Sequence, residues 1–284
     1  MDFVFLGTGA GCGVPAFYCG CKACQEALND SRFRRTRCAV VLTGEENILI
    51  DAPPELSTQL SREGVKKIDY FALTHSHYDH IGGLGDLEFY VRWHRNKALP
   101  AVMSHETWTQ LQTVFGSVAE CLDVKLIKPS QVATFGEVHI AALEAAHSPG
   151  TLGFLIEHNG TSIAYMPDTG SLPAKTRECL HGIDYLVLDA TFWGRNWYPG
   201  QHLSFDEAIA IGRELEVRNL YLTHLSMHYD TPVTNQELEE ALKLYQKQAH
   251  LAYDGLRFAV GHQEHDRIVT MKIEPLVQTK MKSS

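Results

Sequence analysis

Thr74-His75-Ser76-His77-Tyr78-Asp79-His80-Ile81-Gly82-Gly83 follows directly on the apolar run of residues 70–73. That run reads as a buried strand. Side chains two apart on an extended segment share a face, so His75 and His77 can grip one ion together. The turn that follows swings Asp79 and His80 towards a second ion, and the glycines let the chain bend tightly into the next helix. Imidazole with carboxylate is a borderline ligand set that suits zinc, manganese or iron. A lone histidine is most often a surface or satisfied core residue. Four ligand-type side chains within six positions, after a strand and before Gly-Gly, point to metal instead.

The chain around this stretch alternates strands with helices. Residues 3–6, 38–43, 47–50, 70–73, 100–103 and 124–127 are short apolar runs that read as strands. Residues 153–156 and 162–166 read as a hairpin turning at Asn159-Gly160, a dipeptide suited to positive φ. Residues 185–188, 219–222 and 256–260 continue the series. Ser204-Phe205-Asp206-Glu207 and Thr234-Asn235-Gln236-Glu237 each fit a capping box ahead of a helix. Residues 54–63 followed by Gly64 read as a helix with a glycine stop. The order favours an α/β protein, with two sheets face to face and helices outside. One domain over residues 1–260 is expected, with a tail of unassigned role over 261–284. In that tail His262 and His265 read as exposed, with adventitious metal binding the alternative.

The 284 residues are 44% hydrophobic and 21% charged, enough for a sizeable core. A net charge of −9 lacks the basic field that holds long nucleic acid. Arg32, Arg34, Arg35 and Arg37 form a candidate local patch, read equally well as a solvated face. The segment from Met1 to Gly7 has no basic lead-in and reaches glycine too soon for a signal h-region. No apolar run approaches the about 18 residues of a membrane helix. Seven cysteines, an odd number, suit a reducing cytosol better than a disulfide framework. The expectation is a cytoplasmic protein with no membrane partner. The oligomeric state stays open, a homodimer included.

Three of those cysteines form Cys19-Gly20-Cys21-Lys22-Ala23-Cys24 on a loop entering a helix. Three thiolates so close make a nearly complete tetrahedral zinc site. Such a site, once it has four protein ligands, has no open position, so this zinc is expected to be structural. Cys121 and Cys179 read as core residues. Further candidate ligands for the histidine cluster lie in strand-end loops: His147, Asp168 and His224.

Residues 74–80, His147, Pro167-Asp168-Thr169 and Leu222-Thr223-His224, in that order, resemble the five metal motifs of the metallo-β-lactamase superfamily. The resemblance spans most of residues 3–260 and implies an αββα sandwich. It implies His75, His77 and His147 on one catalytic metal and Asp79, His80 and His224 on a second, with Asp168 bridging. Leu6-Gly7-Thr8-Gly9, the cysteine loop and His202 narrow the resemblance to the phosphodiesterases of the carbon–phosphorus lyase pathway. Those enzymes open 5-phosphoribosyl 1,2-cyclic phosphate, so the implied function is a binuclear, metal-dependent phosphodiesterase in phosphonate breakdown, yielding ribose 1,5-bisphosphate. The implied catalytic residues are His202 as general acid and the ligand Asp79. The implied cofactors are two divalent metals (manganese or zinc, with iron admissible) and one structural zinc.

In that family the fourth zinc ligand is a histidine three residues after the Leu-Thr-His histidine. Here His228 falls four residues after His224, which leaves Cys38 and Cys12 as competitors. Arg195, seven residues before His202, is the candidate cation for a terminal phosphate; a surface arginine stacked on tryptophan is the plainer reading. The fold also serves dioxygenases, thioester hydrolases and a cofactor-biosynthesis branch. Flavo-diiron proteins have a carboxylate where this chain has His77. The tRNA 3′-processing endonucleases usually extend a basic arm that this chain lacks. A catalytically dead binding module is the non-enzyme alternative, against which stands the full set of ligand types.

Overall fold

Along β1 (Asp2–Gly7), Phe3 and Phe5 face one way and Val4 and Leu6 the other, and all four are buried. Ile48 and Ile50 likewise turn inward from β3 (Ile48–Ile50) while Leu49 turns outward. Strands apolar on both faces belong to a sheet covered on both sides. The structure, a computed structural model, describes residues 1–229, 231–245 and 248–261. The remaining strands are β2 (Ala39–Thr43), β4 (Tyr70–Ala72), β5 (Leu99–Met103), β6 (Leu122–Leu126), β7 (Val132–Phe135), β8 (Val138–Glu144), β9 (Leu152–His158), β10 (Thr161–Met166), β11 (Tyr185–Asp189), β12 (Asn219–Thr223), β13 (Ala249–Leu251) and β14 (Arg257–Ala259).

They form two seven-stranded sheets, ordered β14-β1-β2-β3-β4-β5-β6 and β13-β12-β11-β10-β9-β8-β7. Each begins with antiparallel pairs and ends in a parallel run, β3 to β6 in one and β10 to β13 in the other. Phe3, Ile48, Phe154, Ile163 and Tyr165 fill the space between the sheets. Leu56, Leu84 and Leu111, on helices, cover the outside of the first sheet. Ala23, Leu180, Ile209 and Leu238, on others, cover the second. The layers are those of an α/β, αββα sandwich. The parallel strands end on a common edge, where loops of such sheets gather binding residues.

Both capping boxes form as the sequence indicates. Asn159 and Gly160 take positive φ and join β9 to β10. The helix read over 54–63 is Leu56–Arg62, and Gly64 follows it at φ 69. The strand placed at 124–127 runs Leu122–Leu126 instead. The β7–β8 hairpin escapes the sequence reading because Thr134, His139 and Glu144 face solvent and dilute the apolar signal. The helix His105–Val114 escapes it because threonines lower its helix propensity, although Ser104 caps it. Of the tail expected over 261–284 only Gly261 is described, and His262 and His265 lie outside the described residues. Among those described, no helix is long and apolar enough to cross a membrane.

Gly83 closes the turn after the histidine run. Its N–H donates to Ala52 O at 2.8 Å, and a Cβ there would stand 2.1 Å from Pro53 O and 2.9 Å from Leu56 Cβ. Backbone cannot yield as a flexible side chain can. Gly83→Ala is expected to cost about 1–3 kcal/mol, measured by denaturant unfolding; unchanged stability would show that the 51–53 loop moves freely.

Candidate metal centre

β4 carries the chain to Thr74, and His75 and His77 follow on extended backbone; His77 is the N-cap of the one-turn helix Tyr78–Ile81, which presents Asp79 and His80. His147, Asp168 and His224 arrive from the ends of β8, β10 and β12. The structure brings all seven together. His75, His77 and His147 offer ligand atoms within 4.8 Å of one another, as do Asp79, His80 and His224, and as do His75, His80 and Asp168. His147 Nε2 lies 3.0 Å from His77 Nδ1. Asp168 Oδ2 lies 2.8 Å from His80 Nε2, and its Oδ1 lies 3.1 Å from His224 Nε2 and 3.9 Å from His147 Nε2. Asp168 therefore stands between the two trios.

Outward hydrogen bonds set how the rings face. His80 Nδ1 pairs with Asp51 Oδ2 at 2.8 Å, and His75 Nδ1 with Thr74 Oγ1 at 3.1 Å, Thr74 itself donating to Asp51. His147 Nδ1 donates to Gln201 O at 2.9 Å, and His224 Nδ1 to Thr191 Oγ1 at 2.8 Å. With Nδ1 engaged, Nε2 of these four rings is the atom left for a metal, an arrangement typical of ligating histidines. Gly170 has no room for a side chain, since a Cβ would stand 2.7 Å from the carbonyl carbon of Gly200. That close approach seats the segment bearing Gln201 and His202.

Whether these residues suit a metal is answered by their polar atoms. His75 Nε2, His80 Nε2 and Asp168 Oδ2 are buried and lack hydrogen-bond partners among the described residues. Buried polar atoms are partnered as a rule. His80 Nε2 and Asp168 Oδ2 are close without hydrogen-bond geometry, like two ligands around a common cation. Burial drives His75 well below its ordinary pKa, leaving a neutral ring. Burial opposes charge on His80 too, yet Asp168, Asp79 and Asp51 hold it well above its ordinary value. Burial would raise Asp168, but His224 and His80 hold it well below the usual carboxylate range. Against burial, Asp168, Asp79 and Asp189 push His224 up to about 9. The cleft favours positive charge, and its N and O donors fit a pair of divalent metals.

Asp51, Asp189 and Thr191 are absent from the sequence reading. A signal was available: Asp51 and Asp189 each follow an apolar strand directly, as Asp168 nearly does. Asp51 and His224 also take left-handed backbone, φ 67 and 56, a strained state that gathers at functional sites.

His202 joins the cluster through Asp189, with Nδ1 2.8 Å from Oδ2. Its ring lies 4.8 Å from that of His147 and stacks at 5.3 Å on that of His224. Arg195 is exposed, its guanidinium 4.4 Å over the Trp197 ring. Among the described residues it makes no hydrogen bond or ion pair to the cluster.

The second cluster is Cys19, Cys21, Cys24 and His228. His228 Nε2 donates to Gly13 O at 2.8 Å, which leaves Nδ1 facing Cys24 Sγ at 3.3 Å and Cys21 Sγ at 3.6 Å. Of the competitors for the fourth place, Cys38 lies against Thr223 Oγ1 and Cys12 against Tyr18 and Tyr229. Burial pushes the Cys24 thiol up to about 12; a bound divalent cation would turn such thiols into thiolates.

A model of the family described as beta-lactamase superfamily domain matches residues 46–225. Octanoyltransferase of Porphyromonas gingivalis is 29% identical over 265 residues, covering 90% of this chain and 51% of its own length, so the chain spans about half of that relative. The crystal structure of a new diphosphatase from the PhnP family superposes with a TM-score of 0.77 at 27% identity, covering 91% of this chain and 97% of that one. Zn(2+)-bound PqqB from Methylobacterium extorquens superposes at 0.78 and 20% identity, covering 92% and 100%, a likeness of fold.

Cys21→Ser is expected to remove one zinc per chain and lower the melting temperature, because binding at such a site is coupled to folding. Elemental analysis with a thermal melt checks it; an unchanged zinc count and melting temperature would refute a zinc site at the cysteines.

Proposed function

The chain belongs to the β-lactamase superfamily, and from that premise we propose that it is a metal-dependent phosphodiesterase opening small cyclic phosphates. The observation that carries this reading is a separate, carboxylate-bound imidazole, His202, set against a cluster of five histidines and two carboxylates. Similarity to the PhnP-family diphosphatase supports phosphate chemistry. We take 5-phosphoribosyl 1,2-cyclic phosphate, opened to ribose 1,5-bisphosphate in phosphonate breakdown, as the substrate, and manganese or zinc as the catalytic metals. His75, His77 and His147 would hold one ion and Asp79, His80 and His224 the other, with Asp168 between them. When bound, such a pair supplies Lewis acidity and acidifies water near neutral pH.

The protein's own groups do the rest. Asp51, Thr74, Thr191 and the Gln201 carbonyl keep the ligand rings in place. Opening the ring breaks a P–O bond to an alkyl oxygen, a poor leaving group that needs a proton. His202 supplies it in this reading. Arg195, on the segment leading to His202, is the cation we assign to the terminal phosphate. A net charge of −9 offers no steering field for long RNA. None of the seven cysteines is in a disulfide, which supports placing the protein in a reducing cytoplasm.

Hydrolysis of 5-phosphoribosyl 1,2-cyclic phosphate, 2′,3′-cyclic nucleotides and a precursor tRNA at one salt concentration tests the substrate. The first is expected to show the highest kcat/KM, and Arg195→Ala to weaken only substrates with the extra phosphate; higher efficiency on the tRNA would overturn the assignment.

His202→Ala is expected to slow alkyl leaving groups about 10²–10⁴-fold and nitrophenyl esters little, since nitrophenolate leaves unprotonated. Equal losses on both, with metal retained, would remove His202 as the acid.

A further inference from the structure

Beside β13, the edge strand of the second sheet, lies a cavity of about 500 Å³ that none of the candidate metal ligands lines. Small-molecule sites are typically about 300–1,000 Å³. The charge of its wall is opposite to that of the whole chain. The protein carries −9 overall, yet Arg32, Arg35 and Lys243 line the cavity against a single carboxylate, Glu239.

Arg35 is buried, only 2% exposed. Its Nη1 donates to Thr8 Oγ1 at 2.9 Å and to the Ala252 carbonyl, and its Nη2 donates to Asn235 Oδ1 at 2.6 Å. Nε has no hydrogen-bond partner, and no carboxylate pairs with the guanidinium, among the described residues. The nearby acids are engaged elsewhere: Glu26 accepts from Asn235, and Asp254 from Thr8 and Thr36. Burial pushes the guanidinium down to about 10. A buried charge is costly without a counter-ion, and a bound anion would offset that cost.

A column of rings leads to the same wall. Tyr185 stacks on Phe258 at 4.4 Å, Phe258 on Tyr221 at 5.2 Å and Tyr221 on His250 at 5.1 Å. The column ends at His250 on β13, which lines the cavity. Beyond Tyr221, His250 stacks on no other ring and makes no hydrogen bond among the described residues. Burial holds it below its ordinary pKa, so the ring is neutral. Such a ring takes a further flat ring in offset stacking.

We propose that this cavity is a binding site, separate from the metal centre, for a small anion of nucleotide size that carries a flat ring. The ring continues the column at His250, and the acidic group sits beside Arg32, Arg35 and Lys243. The site stands whether or not the metal centre cleaves phosphodiesters. Residues 262–284 of the chain are a poor match for a cationic wall, with four Lys and Arg against three Asp and Glu.

Isothermal titration of the full, metal-loaded chain with AMP and with adenosine tests the proposal. AMP is expected to bind with a Kd at or below about 1 mM, and adenosine, without the charge, about tenfold or more weaker. Substituting Arg35 would break three hydrogen bonds within the fold, so the variant reverses the two exposed cations instead. Arg32→Glu with Lys243→Glu is expected to weaken AMP about tenfold or more, with melting temperature and metal content as in wild type. His250→Ala is expected to weaken AMP as well. No AMP binding, AMP held no tighter than adenosine, or unchanged affinity in the charge-reversed variant would each overturn the proposal. Crystals of the full chain with 8-bromo-AMP locate the ligand by the anomalous signal of bromine. Bromine beside His250 supports the site; bromine only at the metal centre, or residues 262–284 filling the cavity, would refute it.

Discussion

A buried carboxylate, Asp168, faces His80 Nε2 at 2.8 Å and His224 Nε2 at 3.1 Å. Removing such charges from water costs several kcal/mol per ion unless geometry and further hydrogen bonds repay it. The rest of the edge is built around that demand. Asp51 braces His80 and Thr74 from the first sheet, and Asp189 braces Thr169, Thr191 and His202 from the second. Each supporting group is a strand-end residue whose backbone the sheet already fixes, so little flexibility remains to be lost when a cation binds.

Much of this was legible in the sequence. The histidine run, the strand-end positions of Asp168 and His224, and the capping boxes are local patterns that need no tertiary information. The two-sheet layering was only suggested, because strands such as Phe3–Leu6 are apolar on both faces, and a short apolar run does not say what covers it. The β7–β8 hairpin and β13 were invisible for the opposite reason: one has polar outward faces and the other is three residues long. Among the candidate site residues, Asp51 and Asp189 escaped because a single aspartate after a strand resembles any loop acid. Their importance comes from partners 23 to 29 residues away for Asp51, and 2 to 20 for Asp189.

The halves of the chain repeat one plan. Antiparallel strands lead into a parallel run in each sheet, and a carboxylate ends a strand in both: Asp51 after β3, Asp189 at the end of β11. Both accept a backbone N–H from the chain near a candidate ligand, Thr74 in one half and Thr169 in the other, and both take a histidine Nδ1. They differ in what that histidine does. His80 turns Nε2 into the Asp168 cluster, whereas His202 stands beside it, within reach of substrate in the reading above. The same local solution thus serves a candidate metal ligand on one side and the proposed proton donor on the other.

The cysteine site bears on the same edge. His228 lies one residue further from His224 than in the family the sequence resembles, and the backbone between and beyond them is unusual. His224, Met227 and Tyr229 take left-handed φ values of 56, 56 and 72. For non-glycine residues such conformations cost about 1–3 kcal/mol each and persist only where the surroundings over-determine them. The surroundings do so here. Leu225 is pinned between Thr8 O and Ala10 N, Met227 is buried with its carbonyl accepting from Val233, and His228 is tied to the Gly13 carbonyl. Two of those anchors lie in the segment that leads into Cys19, Cys21 and Cys24. His224 and His228 therefore share one strained stretch of chain, held at Leu225 and at His228 by the segment that leads into the cysteines.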